Sequence, residues 1–205
     1  MTSSSPRYTA VAIGLHWLIA IGVIALIAMG LTMMHGAIAP ATKFKLYQLH
    51  KSVGITVLLL MVLRVAWRLG HRPPPQPDAM PQLERRAAAG SHAAFYALLL
   101  GLPLSGWALV SVAPLNIPTV LFGVIRWPHL AMLTGLRNKA PVAAVLEAAH
   151  AYGGWLLAAL ILLHSAAALR HHFVAGDDVL RRMLPWRKRA APTPDLSLPA
   201  ESQMP

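Results

Sequence analysis

The chain has no cysteine, and its acidic residues number only seven against eighteen Lys and Arg. Without a thiol there is no disulfide, no iron-sulfur cluster, no thiolate-ligated haem and no covalent haem attachment through CxxCH. Carboxylates are nearly missing from the apolar stretches, Glu147 being the exception, which argues against a carboxylate-built metal site. Charge of either sign is scarce as well. Only 12% of the residues are charged, where a soluble domain carries about a quarter.

What fills the chain instead is apolar: 56% of its 205 residues are hydrophobic, and the membrane class follows. A net charge of +11 would suggest nucleic acid in a soluble protein. Here the Lys and Arg sit in short clusters between the apolar runs and near the C-terminal end, as the positive-inside rule predicts. The first apolar run is too long for a signal-peptide core and lacks a small-residue cleavage pattern, so it reads as a retained spanning helix.

Four spanning helices are expected, at about 10–34, 46–67, 91–113 and 142–173. The connection from Arg68 to Gly90 is dense in proline and arginine, and proline blocks a continuing helix. The stretch from Pro114 to Pro141 is long enough to raise the question of a fifth span, but Arg126, Pro128 and His129 fall at its middle. It reads as an interfacial segment covering one end of the bundle. The expected organisation is an all-α four-helix domain over 1–190 with a disordered tail over 191–205. With the N-terminus inside, twelve Lys and Arg fall on the inner side and six on the outer, so both termini are expected in the cytoplasm.

Histidines organise the interior. In the run from Glu147 to His172, His150 and His164 are fourteen residues apart, which returns a helix to within about 40° and moves it roughly 21 Å along its axis. Both imidazoles thus share one face at opposite membrane depths, and ionisable groups inside spanning helices point to function. Alternating helix directions put His50 with His150 at the outer depth, and His16, His92 and His164 at the inner one. Facing imidazoles inside a bundle are what six-coordinate b-type haem requires. Only two of the three inner histidines can bind one iron; His16 with His164 is the preferred pair, with His92 as the alternative. The metal-ligating candidates are therefore His16, His50, His150 and His164.

Small residues recur one turn after the candidate ligands: Gly54 after His50, Gly154 beside Gly153 after His150, Ala20 after His16 and Ala168 after His164. At the outer pair, a missing side chain lets a porphyrin lie against the backbone. Arg64, fourteen residues after His50, shares that stripe at the inner depth, where a haem propionate is the expected anion.

Taken together, LHWLIA with His16, LHKSVGI with His50, LRVAWRL with Arg64 and Arg68, SHAAFYALLLGLPLSGW with His92, EAAHAYGG with His150, LHSAAALRHHF with His164 and LRRMLPWRKR resemble the bacterial cytochrome b561 family. These stretches cover nearly the whole chain from Arg7 to Arg189, and their order and spacing carry the resemblance. It implies a di-haem inner-membrane protein with the same four ligands, passing electrons from a periplasmic one-electron donor to membrane quinone. Some members of that family are superoxide oxidases that reduce ubiquinone. An anionic donor would be steered by Lys43, Lys45 and Lys51 beside His50, and Trp17, His92 and Arg64 are candidates for the polar mouth of a quinone slot. Lys51, Arg64 and His92 are thus the catalytic candidates. The alternative reading is an anchoring cytochrome subunit that takes electrons from a partner dehydrogenase or hydrogenase.

Overall fold

A computed structural model describes residues 7–75 and 80–185. The expected tail over 191–205, and Arg187, Lys188 and Arg189 before it, lie outside the described residues. Four helices long and apolar enough to cross a membrane account for most of the chain. The first, α1, runs Ala10–His35, with the Thr9 hydroxyl capping its start by accepting from the Ala12 N–H at 3.2 Å.

Helix α2 spans Pro40–Gly70 and starts earlier than expected. Pro40 lies in its first turn, where proline's missing N–H has no intrahelical partner to lose, so Lys43 and Lys45 belong to the helix rather than to a lead-in. Helix α3 covers Gln82–Val112 and corrects the sequence reading most. Its first nine residues were assigned to the connection, yet Leu83, Glu84, Arg85, Arg86 and three alanines are strong helix formers. The proline block ends at Pro81, directly before the helix.

The expected interfacial segment is a β-hairpin, β1 Thr119–Leu121 paired antiparallel with β2 Ile125–Trp127, followed by the single turn α4 at Ala131–Thr134. It is not a fifth span. Ser52 on α2 accepts from the Phe122 N–H at 3.0 Å, while Gln48 and Lys51 donate to the Pro118 carbonyl at 3.2 and 3.5 Å. The hairpin is therefore stapled to α2 within one turn of His50. Helix α5, Ala140–Arg170, completes the bundle and ends in a π-helical turn, His171–Ala175.

Helix α1 packs along α2, α2 along α3, and α3 along α5, so the bundle is least tightly closed between α5 and the first two helices. Two glycines mark close approaches. A methyl group at Gly22 would come within 2.8 Å of Val57, and one at Gly153 within 2.8 Å of Leu102. At mid-depth the open seam is plugged by Ile19 and Val23 of α1, Val57 and Met61 of α2 and Leu157 of α5. Val23, Val57 and Leu157 each follow a histidine of their own helix by seven residues, which keeps them on the histidine face half-way to the next level. Outward, large apolar side chains stand exposed, Ile21, Leu63 and Leu162 among them, as lipid contact requires.

Candidate functional site

The histidines meet in pairs across that seam, above and below the apolar plug. At the outer level the rings of His50 on α2 and His150 on α5 have centroids 6.2 Å apart. At the inner level His16 on α1 and His164 on α5 are 6.4 Å apart. A transition metal bonds imidazole nitrogen at about 2.0–2.1 Å, and with roughly 1.1 Å more from each nitrogen to its ring centre, one ion between two rings sets the centroids about 6.3 Å apart. Both separations fit a bis-imidazole haem.

Surrounding residues agree at the outer level. Added methyl groups at the half-buried Gly54 and Gly154 would have nothing within 4 Å, so the backbone there borders open space. Its neighbour Gly153 does a different job, since it is filled against Leu102 of α3. Among the described residues, the buried Nδ1 of His50 has no hydrogen-bond partner.

His150 is held more firmly. Its Nδ1 lies 3.0 Å from the Ser105 hydroxyl, and that hydroxyl donates its only hydrogen to the Leu102 carbonyl at 2.8 Å. Ser105 can then only accept from His150, which keeps the proton on Nδ1 and leaves the Nε2 lone pair for a metal. Ser105 and Gly106 escaped the sequence reading. Gly106 presents bare backbone to the same ring, where a methyl group would sit 3.1 Å from His150 Cε1, and Gly30 of α1 comes within 4.0 Å of His50 Cε1 by the same measure. A signal for both was present: Gly30 follows His16, and Gly106 follows His92, by the same fourteen residues that separate His50 from Arg64 and His150 from His164.

Ser105→Ala is expected to weaken outer-haem retention about tenfold to a hundredfold, the usual cost of losing a partner behind a metal ligand. It should also raise that centre's reduction potential, because a less basic imidazole stabilises the ferric state less. A redox titration of the two centres checks this; an unchanged outer potential would show that the serine does not set the ring's electronics.

The inner level gathers three imidazoles. His92 of α3 lies 6.2 Å from His164, as close as His16 does, and Phe95 fits edge-on against the His164 ring at 5.2 Å. Trp17 is occupied elsewhere, its indole N–H donating to the Met183 carbonyl at 2.8 Å and tying the segment after α5 to the inner end of α1. Arg64 donates to the Ala12 carbonyl at 3.3 Å and lines a cleft with Trp67 and Arg68. At the outer level Lys51 stands beside His50 in sequence, half-buried, with its amine reaching the hairpin.

The chain matches a model of prokaryotic cytochrome b561 over residues 7–186. It is 36% identical over 184 residues to cytochrome b561 homolog 2 of Escherichia coli (strain K12), covering 89% of this chain and 94% of that protein. It is 31% identical over 183 residues to the probable superoxide oxidase CybB of Yersinia pestis, covering 89% and 98%. To cytochrome b561 homolog 1 of E. coli it is 29% identical over 148 residues, covering 72% and 80%.

Proposed function

The chain belongs to the prokaryotic cytochrome b561 family, and from that premise we propose that it carries electrons from a periplasmic one-electron donor to ubiquinone through two b-type haems. Family membership and the four spanning helices make it a multi-pass bacterial membrane oxidoreductase with b-type haem and a role in transmembrane electron transfer. The observation that carries the finer reading is the pair of imidazole couples, 6.2 and 6.4 Å between centroids, on either side of a buried apolar layer. His50 with His150 would hold the outer haem and His16 with His164 the inner one, in one domain over 1–190 of the inner membrane. A haem so held takes up and releases single electrons at its iron.

The protein's own groups do the rest. Ser105 keeps the His150 proton on Nδ1, and Gly54, Gly154 and Gly106 keep side chains out of the space around the outer rings. The hairpin closes over the outer turn of α2. Val57, Met61 and Leu157, each at most 4% exposed, keep the centre dry, which confines protons to the side on which they are taken up. Arg64 would place positive charge opposite inner propionates, and His92 would hold or pass a proton at the quinone. Superoxide is the donor favoured by the CybB relative: two superoxide ions each lose one electron and become dioxygen, and one quinone gains two electrons and two protons to become quinol.

The direct test is the reduced-minus-oxidised spectrum of the purified protein with haem quantified per chain. Two b-type haems per chain are expected; none would end this reading, and one would end the stacked arrangement. Superoxide-driven ubiquinone reduction by the protein purified alone distinguishes it from an anchor that works only with a partner enzyme. If Lys51, with Lys43 and Lys45, steers the anion, Lys51→Gln lowers the superoxide-driven rate about tenfold and flattens its dependence on ionic strength. Reduction of the haems by a neutral donor should be unaffected.

A further inference from the structure

At the end of the bundle where α1 begins and α2 finishes, an open cleft is lined by Arg7, Arg64, Arg68 and Arg72. Arg64 and Arg68 are four residues apart on one face of α2, and Arg72 follows just past the helix end to line the same cleft. No carboxylate is among the described residues lining the cleft. The acids described at this end are engaged elsewhere: Glu84 with Arg170 at 3.1 Å, Asp177 with His171 at 2.5 Å and Asp178 with Arg182 at 2.8 Å.

For Arg64 and Arg68 the described partners are neutral and do not offset the charge. Arg64 donates to the Ala12 carbonyl, and the Arg68 guanidinium lies over the Tyr96 ring at 5.6 Å. Like charges gathered beside low-dielectric helices repel strongly unless an anion joins them. The aromatic wall marks the level: Trp67 and His71 stack at 3.9 Å with planes 5° apart, and the Trp67 indole donates to Thr9 Oγ1 at 2.9 Å. Tryptophan and tyrosine collect at the depth of lipid headgroups. The helices that wall the cleft also expose apolar side chains there, Val11 on α1 and Leu63 and Leu69 on α2, giving acyl chains a surface to follow.

We propose that this cleft binds the phosphate of an acidic phospholipid from the leaflet on the N-terminal side of the bundle. Arg68 and Arg72 grip the phosphate with charge-assisted, bidentate hydrogen bonds, and the Trp67 and His71 rings pack against the glycerol. Basic pockets between spanning helices select anionic headgroups in this way. Arg64, the deeper of the two on α2, remains at the level of the inner histidines.

Native mass spectrometry on the purified, haem-loaded full chain tests this, with phosphatidylglycerol, phosphatidylcholine and inorganic phosphate as probes. The wild type is expected to retain phosphatidylglycerol at least about tenfold better than phosphatidylcholine, each surface-level Arg contributing on the order of 1 kcal/mol. Arg68→Gln with Arg72→Gln should abolish the preference while haem per chain and the reduced spectrum stay unchanged. Arg72→Gln alone, beyond the end of α2 and so harmless to the helix, should weaken retention severalfold. Equal retention of both lipids by the wild type overturns the proposal, as does displacement of phosphatidylglycerol by millimolar inorganic phosphate, which marks a free-anion site. Loss of inner-haem absorbance on Arg72→Gln overturns it too, by assigning the arginines to propionates.

Discussion

If His50 and His150 hold a haem as proposed, alanine in place of His150 is expected to remove that haem and leave the other, so that haem per chain falls from two to one. His50 would then have no imidazole opposite it across the seam, because the His150 ring is the one that stands 6.2 Å away. The neighbouring supports do not substitute for it: Ser105 is a hydroxyl bound to the Leu102 carbonyl, and Gly106 carries no side chain. His50→Ala should give the same loss from the other side. Electron delivery from an outer donor to quinone is expected to fall by more than about a hundredfold, beyond the upper end of what losing a partner behind a ligand costs. Haem extraction with a redox titration is the measurement, and the component lost should be the one whose potential Ser105→Ala moves. Two haems retained in both variants would refute the outer pair as ligands.

On the proposed assignment, His164→Ala is expected to remove the inner haem, His16→Ala to do the same, and His92→Ala to leave both haems in place. Distance does not separate the two candidates, since His16 and His92 lie 6.4 and 6.2 Å from His164. Packing does. Helix α3 lies close along α5, and Phe95 already fills the space beside the His164 ring on that side. A porphyrin plane about 10 Å across, comparable to the whole spacing between packed helices, has no room between α3 and α5. The seam between α1 and α5 is the more open one, which is why the proposed inner site pairs His164 with His16. His92 should instead show itself in quinone reduction, with a slowed rate at full haem content. Loss of the inner haem on His92→Ala, with retention on His16→Ala, would exchange the two roles.

The offset of fourteen residues shows how much of the site could be read beforehand. Applied to α5 it set His150 and His164 at two depths of one face, and applied to α2 it set Arg64 below His50. The same step on α1 and α3 leads to Gly30 and Gly106, which present bare backbone to the rings of His50 and His150. They were passed over because a glycine in an apolar run looks like ordinary helix packing until a partner ring is known to stand against it. Ser105 was equally silent. A hydroxyl one residue from that glycine means nothing until its hydrogen is seen on the Leu102 carbonyl and its lone pair on His150.

The helix boundaries erred for a local reason. Proline density over 73–81 suggests a connection extending to Gly90, but residues 82–89 have every propensity for helix, and α3 begins at Gln82. The segment from Pro114 to Pro141 is recognisable as one that does not span, since Arg126 and His129 interrupt it, but the hairpin within it is held by Ser52, Gln48 and Lys51 reaching across from α2.

By itself, then, the amino-acid sequence determined the membrane class, the four spans and the depth of each histidine, because hydropathy and the helical repeat are properties of one segment at a time. Tertiary structure alone decided which neighbours α5 packs against closely and which it faces across an open seam. That choice depends on side chains from different helices competing for the same space: Leu102 against Gly153 closes α3 onto α5, while Val57, Met61 and Leu157 hold the other side apart at its waist. The extra room on the His16 side of His164, the proton on His150 Nδ1 and the arginine cleft at the end of α2 all follow from that packing.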